Sequence, residues 1–327
     1  MAAFIVRRFL YMLTTLIFVS MIGFVIINLP EGNYIDVYIQ ERQMQGTDTS
    51  QAEIAAVVKR FGLDEPLYSQ YWKWATGFVR GDFGRSFEYN REVKDLVWER
   101  LAFTALISTS TLLFTWGVAI PIGIYSATHQ YSLGDNAATV VGLAGLSIPN
   151  FMLALILMVI AQRVFGQSVG GLFSREYANA PWSLGKVADL LGHLWVPIVV
   201  VGTGGTASLI RMMRGNLLDI LNMQYVQAAR ARGVAERKVI VKHAVRNAIH
   251  PLIMLLGMSL PGIISGSTVV AIVLSLPTTG PLYFRALQRQ DMYLAVTFLM
   301  FLSMMLVVGN FIADVLLVWV DPRIRFE

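Results

Sequence analysis

Residues 223–251 read MQYVQAARARGVAERKVIVKHAVRNAIHP. The stretch is basic and favours helix, yet it lies between two very apolar stretches, 194–212 and 251–276. At its centre, QAARARG (227–233) sets Ala228 and Ala229 shortly before a glycine. The pattern from Asn216 to Arg232 predicts one helix, and Gly233 is placed as its stop. A second helix from about Ala235 would carry Lys238, Lys242 and Arg246 at i, i+4, i+8 as a basic stripe, with Pro251 at the start of the next apolar stretch. Two short helices about a glycine make a compact knob, and paired alanines let another surface come close. An ordinary basic loop on anionic lipid explains the charge. It does not explain the glycine-hinged helix pair, which points to a docking partner.

Outside this knob the chain is apolar: 55% of its 327 residues are hydrophobic and 14% charged, with a mean hydropathy of +0.58. That excludes an ordinary soluble domain. The net charge of +5 sits in loops beside apolar spans, which argues for a membrane and against nucleic acid. With no cysteine, disulfides, thiolate metal sites and cysteine nucleophiles are ruled out. Residues 9–29 form an uncharged run long enough to cross about 30 Å of hydrocarbon, and it reads as an uncleaved anchor because no small-residue cleavage site follows it. Further spans are read at 103–125, 137–160, 194–212, 251–276 and 293–320. The fold class is therefore an all-α membrane protein with six transmembrane helices: a tail and first helix (1–29), an external subdomain (30–99), and a five-helix core (100–327) carrying the knob (213–250).

Loop charges orient it. Residues 211–251 hold eight Lys/Arg against Asp219 and Glu236, whereas residues 30–99 hold eight Lys/Arg against twelve Asp/Glu. The positive-inside rule puts the knob and both termini in the cytoplasm. In residues 30–99, Ser50-Gln51-Ala52-Glu53 reads as a capping box and Gly62 as the helix stop. Asp64-Glu65-Pro66 opens a second helix bearing Tyr68, Tyr71, Trp72 and Trp74, read as an aromatic belt at the bilayer surface. Val93, Leu96, Val97 and Leu101 mark an amphipathic helix leading into the next span.

The spans are rich in small and hydroxyl residues. Ser147, Pro149 and Asn150 interrupt the third, Thr203 and Thr206 lie in the fourth, and Ser265, Ser267 and Thr268 lie in the fifth. Close helix packing with kinks accounts for them, and so does a pathway for an uncharged or zwitterionic polar solute. Asp314, four residues after Asn310, is the exceptional intramembrane acid. No histidine sits at metal-ligand spacing, and no nucleotide-binding or hydrolase motif is present. The chain carries no engine of its own. A stand-alone secondary transporter or channel is the alternative, weakened by the lack of a chain of buried acids.

The knob resembles that of the permease subunits of binding-protein-dependent ABC importers, in the dipeptide/oligopeptide/nickel branch. Their signature is Glu-Ala-Ala, three residues, then Gly; Gln227-Ala228-Ala229-x-x-x-Gly233 keeps the spacing and replaces Glu by Gln. The likeness extends through Tyr225-Val226, Ala231-Arg232-Gly233, His243-Ala244-Val245-Arg246-Asn247, Gly62-Leu63-Asp64-x-Pro66-Leu67, Gln70-Tyr71-x-x-Trp74, Gly81-Asp82-Phe83-Gly84-x-Ser86, Ser147-x-Pro149-x-Phe151 and Asp321-Pro322-Arg323. After the first span the branch reads Pro-Gly-Asp-Pro, whereas this chain has Pro30-Glu31-Gly32-Asn33. The resemblance implies a type I importer permease in a bacterial inner membrane, paired with a second permease, two ATPases that hold ATP and Mg, and an external solute-binding protein. The chain itself would bind no cofactor. By that analogy Tyr225, Gln227, Ala228, Ala229, Arg230, Arg232 and Gly233 couple to an ATPase, while Asp64, Tyr71, Trp74, Asp82 and Arg85 face the binding protein. Peptide and oligosaccharide cargo both stay open.

Overall fold

The computed structural model describes residues 2–29, 34–44, 50–259 and 267–320. The turn at Pro30–Asn33, Ser265 and the Asp321-Pro322-Arg323 tail lie outside the described residues. In chain order the helices are α1 (Ala2–Ile27), α2 (Tyr34–Met44), α3 (Gln51–Phe61), α4 (Leu67–Val79), α5 (Val93–Thr128), α6 (Leu133–Ser147), α7 (Asn150–Phe165), α8 (Leu184–Leu221), α9 (Gln224–Ala231) and α10 (Glu236–Lys238). A π-helical segment (Val239–Val245) follows, then α11 (Arg246–Ala248), α12 (His250–Ser259), α13 (Thr268–Val273), α14 (Thr279–Gln288) and α15 (Met292–Val320).

The expected spans appear in two forms. Stretches Phe9–Ile27, Val93–Thr128, Leu184–Leu221 and Met292–Ile312 are each long and apolar enough to cross a membrane, and two bent helix pairs raise the total among the described residues to as many as six. The third span is not straight: α6 and α7 meet at 104° across Ile148 and Pro149. Pro149 cannot donate to the turn before it, and it drives Ile148 into extended backbone (ψ 122°).

The chain divides into two compact units, residues 1–102 with 278–307, and residues 103–277 with 308–327. In the first, the segment expected as an external subdomain shares one core with α1 and the start of α15. Phe24, Tyr34, Trp74, Phe87, Met292 and Val296 pack together there. Ser50 Oγ accepts from the Glu53 amide at 3.2 Å, as the capping box requires, and Gly62 closes α3 with φ +66°. The reciprocal half is absent, because the Glu53 carboxylate instead accepts from Arg42 (3.0 Å) and the Tyr38 hydroxyl (3.1 Å). Asp64 does not cap α4, whose first turn begins at Pro66.

In the second unit, small residues let α6 lie close on α8. A Cβ on Gly142 would meet Ala207 at 3.5 Å, and one on Gly145 would meet Thr203 at 2.5 Å. The paired positions run in opposite directions along the two helices, so the contact is an antiparallel seam. Asp135 and Arg214 continue it, with guanidinium Nε and Nη2 each 3.0 Å from a carboxylate oxygen. Gly202 likewise lies against Phe114 of α5, where a Cβ would approach the ring to 2.8 Å. Close packing thus accounts for Gly202 in the fourth span and for Gly142 and Gly145 in the third.

Candidate functional site

The knob is built on the last turns of α8. Asn222 and Met223 turn the chain into α9, and Val226 is the anchor: it is fully buried beside Leu217, Leu221, Val239, Ala244 and Ala248. Gln227 points back, and its side-chain amide donates to the Leu221 carbonyl at 3.0 Å. A backbone oxygen at a helix end needs a donor, and an amide supplies one where a glutamate could not. Tyr225 Oη accepts from Asn247 Nδ2 at 2.7 Å, tying α9 to the π segment and α11.

Gly233 adopts φ +76°, the left-handed conformation expected of a helix stop, and no atom would crowd a Cβ there. Across this hinge Arg230 binds Glu236, with Nε at 3.1 and 3.2 Å and Nη2 at 2.7 Å from the carboxylate oxygens. That hydrogen-bonded pairing raises the Arg230 pKa above its already high ordinary value. Arg230 is thereby part of the knob's internal frame. The exposed surface includes Met223, Gln224, Tyr225, Gln227, Ala228, Ala231, Arg232 and Gly233, with Ala235, Glu236, Arg237 and Lys238 beyond the hinge. Ala229 is half-buried against the knob's core, so of the two alanines Ala228 is the more open to a partner.

The segment that carries Lys238, Lys242 and Arg246 is not a plain α-helix: from Val239 to Val245 the backbone winds as a π-helix. All three remain exposed. The π turn buries Val239 and Ala244 and leaves Val241 outside.

The pathway candidates divide. Ser147, Pro149 and Asn150 lie exposed at the α6–α7 bend. Ser147 Oγ donates to Leu143 O at 2.8 Å and Thr203 Oγ1 to Val199 O at 2.5 Å, so both hydroxyls are satisfied on their own helices. Thr206 is buried and its hydroxyl has no partner among the described residues. Ser267 and Thr268 are half-buried at the start of α13. Asp314 is buried and Asn310 is exposed.

Of the residues expected to face a binding protein, Trp74 is corrected. It is 3% exposed and donates Nε1 to Thr297 Oγ1 at 3.2 Å, because its indole fills the core of the first unit. Tyr71 is half-buried and its hydroxyl pairs with Ser20 Oγ at 2.9 Å. Asp64, Asp82 and Arg85 are exposed. Asp82 Oδ1 accepts from the Gly84 amide at 2.9 Å, and Arg85 donates to the Asn90 carbonyl at 2.7 and 2.9 Å, so both shape the turn on which they sit.

Two sites escaped the sequence reading. Asp291 is fully buried. It accepts from Ser86 Oγ, from the Glu88 amide at 3.2 Å and from the Leu294 amide at 3.3 Å, thereby capping α15 and holding the turn after Arg85. An aspartate just before an apolar run was the available signal. Lys186 is the other: its ammonium donates to Ala180 O at 2.6 Å between the rings of Phe173 and Trp182. Neither site belongs to the knob.

The family described as binding-protein-dependent transport system inner membrane component matches residues 119–326, and its N-terminal counterpart matches residues 1–108. The chain is 34% identical to an oligopeptide transport system permease protein of Bacillus subtilis, covering 100% of both sequences. It is 28% identical to a dipeptide transport system permease protein of Alkalihalophilus pseudofirmus, again over 100% of each. A nickel import system permease protein of Staphylococcus aureus is 28% identical across 99% of this chain and 93% of that one. These matches set aside the stand-alone secondary transporter. The chain belongs to the inner-membrane components of binding-protein-dependent transport systems, as a multi-pass, non-catalytic permease subunit of an ABC importer that works with separate ATPase and solute-binding subunits.

Proposed function

We propose that this chain forms half of a peptide pathway, paired with a second permease and driven by two ATPases that hold ATP and Mg. The observation that carries the reading is the knob. A short helix with an open small-residue face is pinned by buried Val226 and by the Gln227 amide, and it sits at the end of the 38-residue helix α8. Peptide is favoured over oligosaccharide by the names of the relatives, two of which are oligopeptide and dipeptide permeases. Tyr225, Gln227, Ala228, Ala229, Arg230, Arg232 and Gly233 form the docking segment. Within it Ala228 and Arg232 meet the ATPase, and Gln227 and Arg230 hold the segment's shape. The charge balance of the loops supports cytoplasmic termini and an external face for residues 30–99.

In operation, ATP-bound closure of the ATPases contacts the knob differently in two states, and the difference shifts the permease toward its outward-open form. α8 passes the movement to α6 through the Asp135–Arg214 seam, and so to the bend at Ser147, Pro149 and Asn150. The test is peptide uptake by the reconstituted complex. Gly233→Pro and Ala228→Trp are expected to abolish uptake while the chain still folds and inserts. Unchanged uptake in both variants removes the docking role, and uptake of oligosaccharide in place of peptide removes the cargo assignment.

A further inference from the structure

The surface of α4 is divided in a way that no importer role explains. Gln70 and Trp74 are buried, whereas Tyr68 is 77% and Trp72 69% exposed, with Leu67 and Val79 exposed beside them. Tyr68 and Trp72 are i, i+4 neighbours on one face. Lys73, bonded to Glu65, lies at its polar rim. Large aromatic side chains facing bulk water on a short helix gain nothing from that position.

The depth of α4 is set by α1. The Tyr71 hydroxyl meets Ser20 Oγ at 2.9 Å, the Tyr71 ring lies edge-on to Phe24 with centroids 5.4 Å apart, and Trp74 lies 6.1 Å from the same ring. Ser20 stands seven residues before the end of the apolar stretch Phe9–Ile27, about 10 Å along the axis. α4 therefore hangs beside the last two turns of the span, not beyond it. At that level α1 itself exposes Phe18, Ile22, Val25 and Ile26, so α4 is held beside a helix already committed to the membrane. Tyrosine and tryptophan suit this level, because each joins an apolar ring to a polar edge that finds partners among headgroups.

We propose that α4 is an interfacial helix, with Tyr68 and Trp72 immersed at the boundary between headgroups and acyl chains, anchoring residues 50–79 to the bilayer where α1 ends. The occupant of this face is lipid. The proposal rests on the membrane placement of α1 and on neither the cargo nor the orientation.

The chain has no cysteine, so single nitroxide labels can be placed without background. Tyr68→Cys and Trp72→Cys are compared with Phe18→Cys on α1 and Ala55→Cys on the exposed side of α3. The labelled chain is assembled with its partner subunits in liposomes of phosphatidylethanolamine and phosphatidylglycerol. Collisions with oxygen are expected to exceed those with a water-soluble nickel chelate at 68 and 72, as at 18, with the order reversed at 55. Chelate collisions dominating at 68 and 72 would place the face in water and overturn the anchor. Exclusion of both reagents would place it under a protein partner and overturn it equally. ATP-driven uptake in the same liposomes reports separately on the importer reading, so a transporting complex with a water-facing label sinks the anchor alone.

Discussion

The side-chain amide of Gln227 lies 3.0 Å from the backbone oxygen of Leu221, six residues earlier, and closes the turn between α8 and α9. At this position the resemblance leads one to expect glutamate. The chain's departure from that pattern therefore has a local use: the side chain serves the knob's own geometry.

Gln227→Glu keeps the shape and removes the donor, setting a carboxylate against a carbonyl. One lost hydrogen bond costs about 1 kcal/mol, which corresponds to a roughly fivefold shift in the population of the pinned knob. Uptake is expected to fall by about that factor while co-purification with the ATPases persists. Single-turnover uptake with Gln227→Glu and Gln227→Lys, the latter retaining a donor, checks it. Equal loss in both variants contradicts the role.

Asp135 is almost fully buried against a partly exposed Arg214. Replacing one partner strands the other, at a cost of about 2–4 kcal/mol, somewhat less than for a fully buried pair. Asp135→Asn is expected to lower the melting temperature of the purified complex, and Arg214→Lys to lower it less. A melting temperature unchanged in Asp135→Asn would show that the pair does not hold α6 to α8.

Two glycines of α8 should respond oppositely to alanine. At Gly202 a Cβ meets Phe114 at 2.8 Å, whereas at Gly204 nothing lies within 4 Å. Gly202→Ala overpacks the α5–α8 contact and should destabilise by about 1–3 kcal/mol. Gly204→Ala should be neutral or stabilising, by up to about 1 kcal/mol. Thermal melts of the two variants make the comparison.

Burial pushes the Asp291 carboxyl above the usual carboxylate range, against hydrogen bonds from Ser86 and from the amides of Phe87, Glu88 and Leu294 that pull it down. With the folded value raised, the folded chain holds a proton that the unfolded chain has released. The stabilising contribution is present below the ordinary pKa of about 3.9 and declines as pH rises through the folded value. Asp291→Asn should remove that slope from melting temperature plotted against pH. It should also lose about 1–3 kcal/mol, because one acceptor replaces two.

Much of this molecule was legible in its residues. Uncharged runs of about twenty residues are most simply satisfied in hydrocarbon as helices, which residues 9–29 and 293–313 announced. Gly62 and Gly233 had to end helices, because left-handed backbone is costly for other residues, and both do so. The spacing of Ala228, Ala229 and Gly233 marked the knob for the same local reasons. Tertiary structure decided whatever depends on partners far along the chain. Nothing near Trp74 announces that Thr297 receives its indole proton, nor does anything near Asp135 announce Arg214. Trp72 and Trp74 are two residues apart on one helix, and one faces out while the other fills a core. Helical periodicity separates their directions, but only the position of α1 determines which side is the core. The π turn at Val239–Val245 belongs to the same class, since burying Val239 and Ala244 together depends on where α8 and α9 already stand.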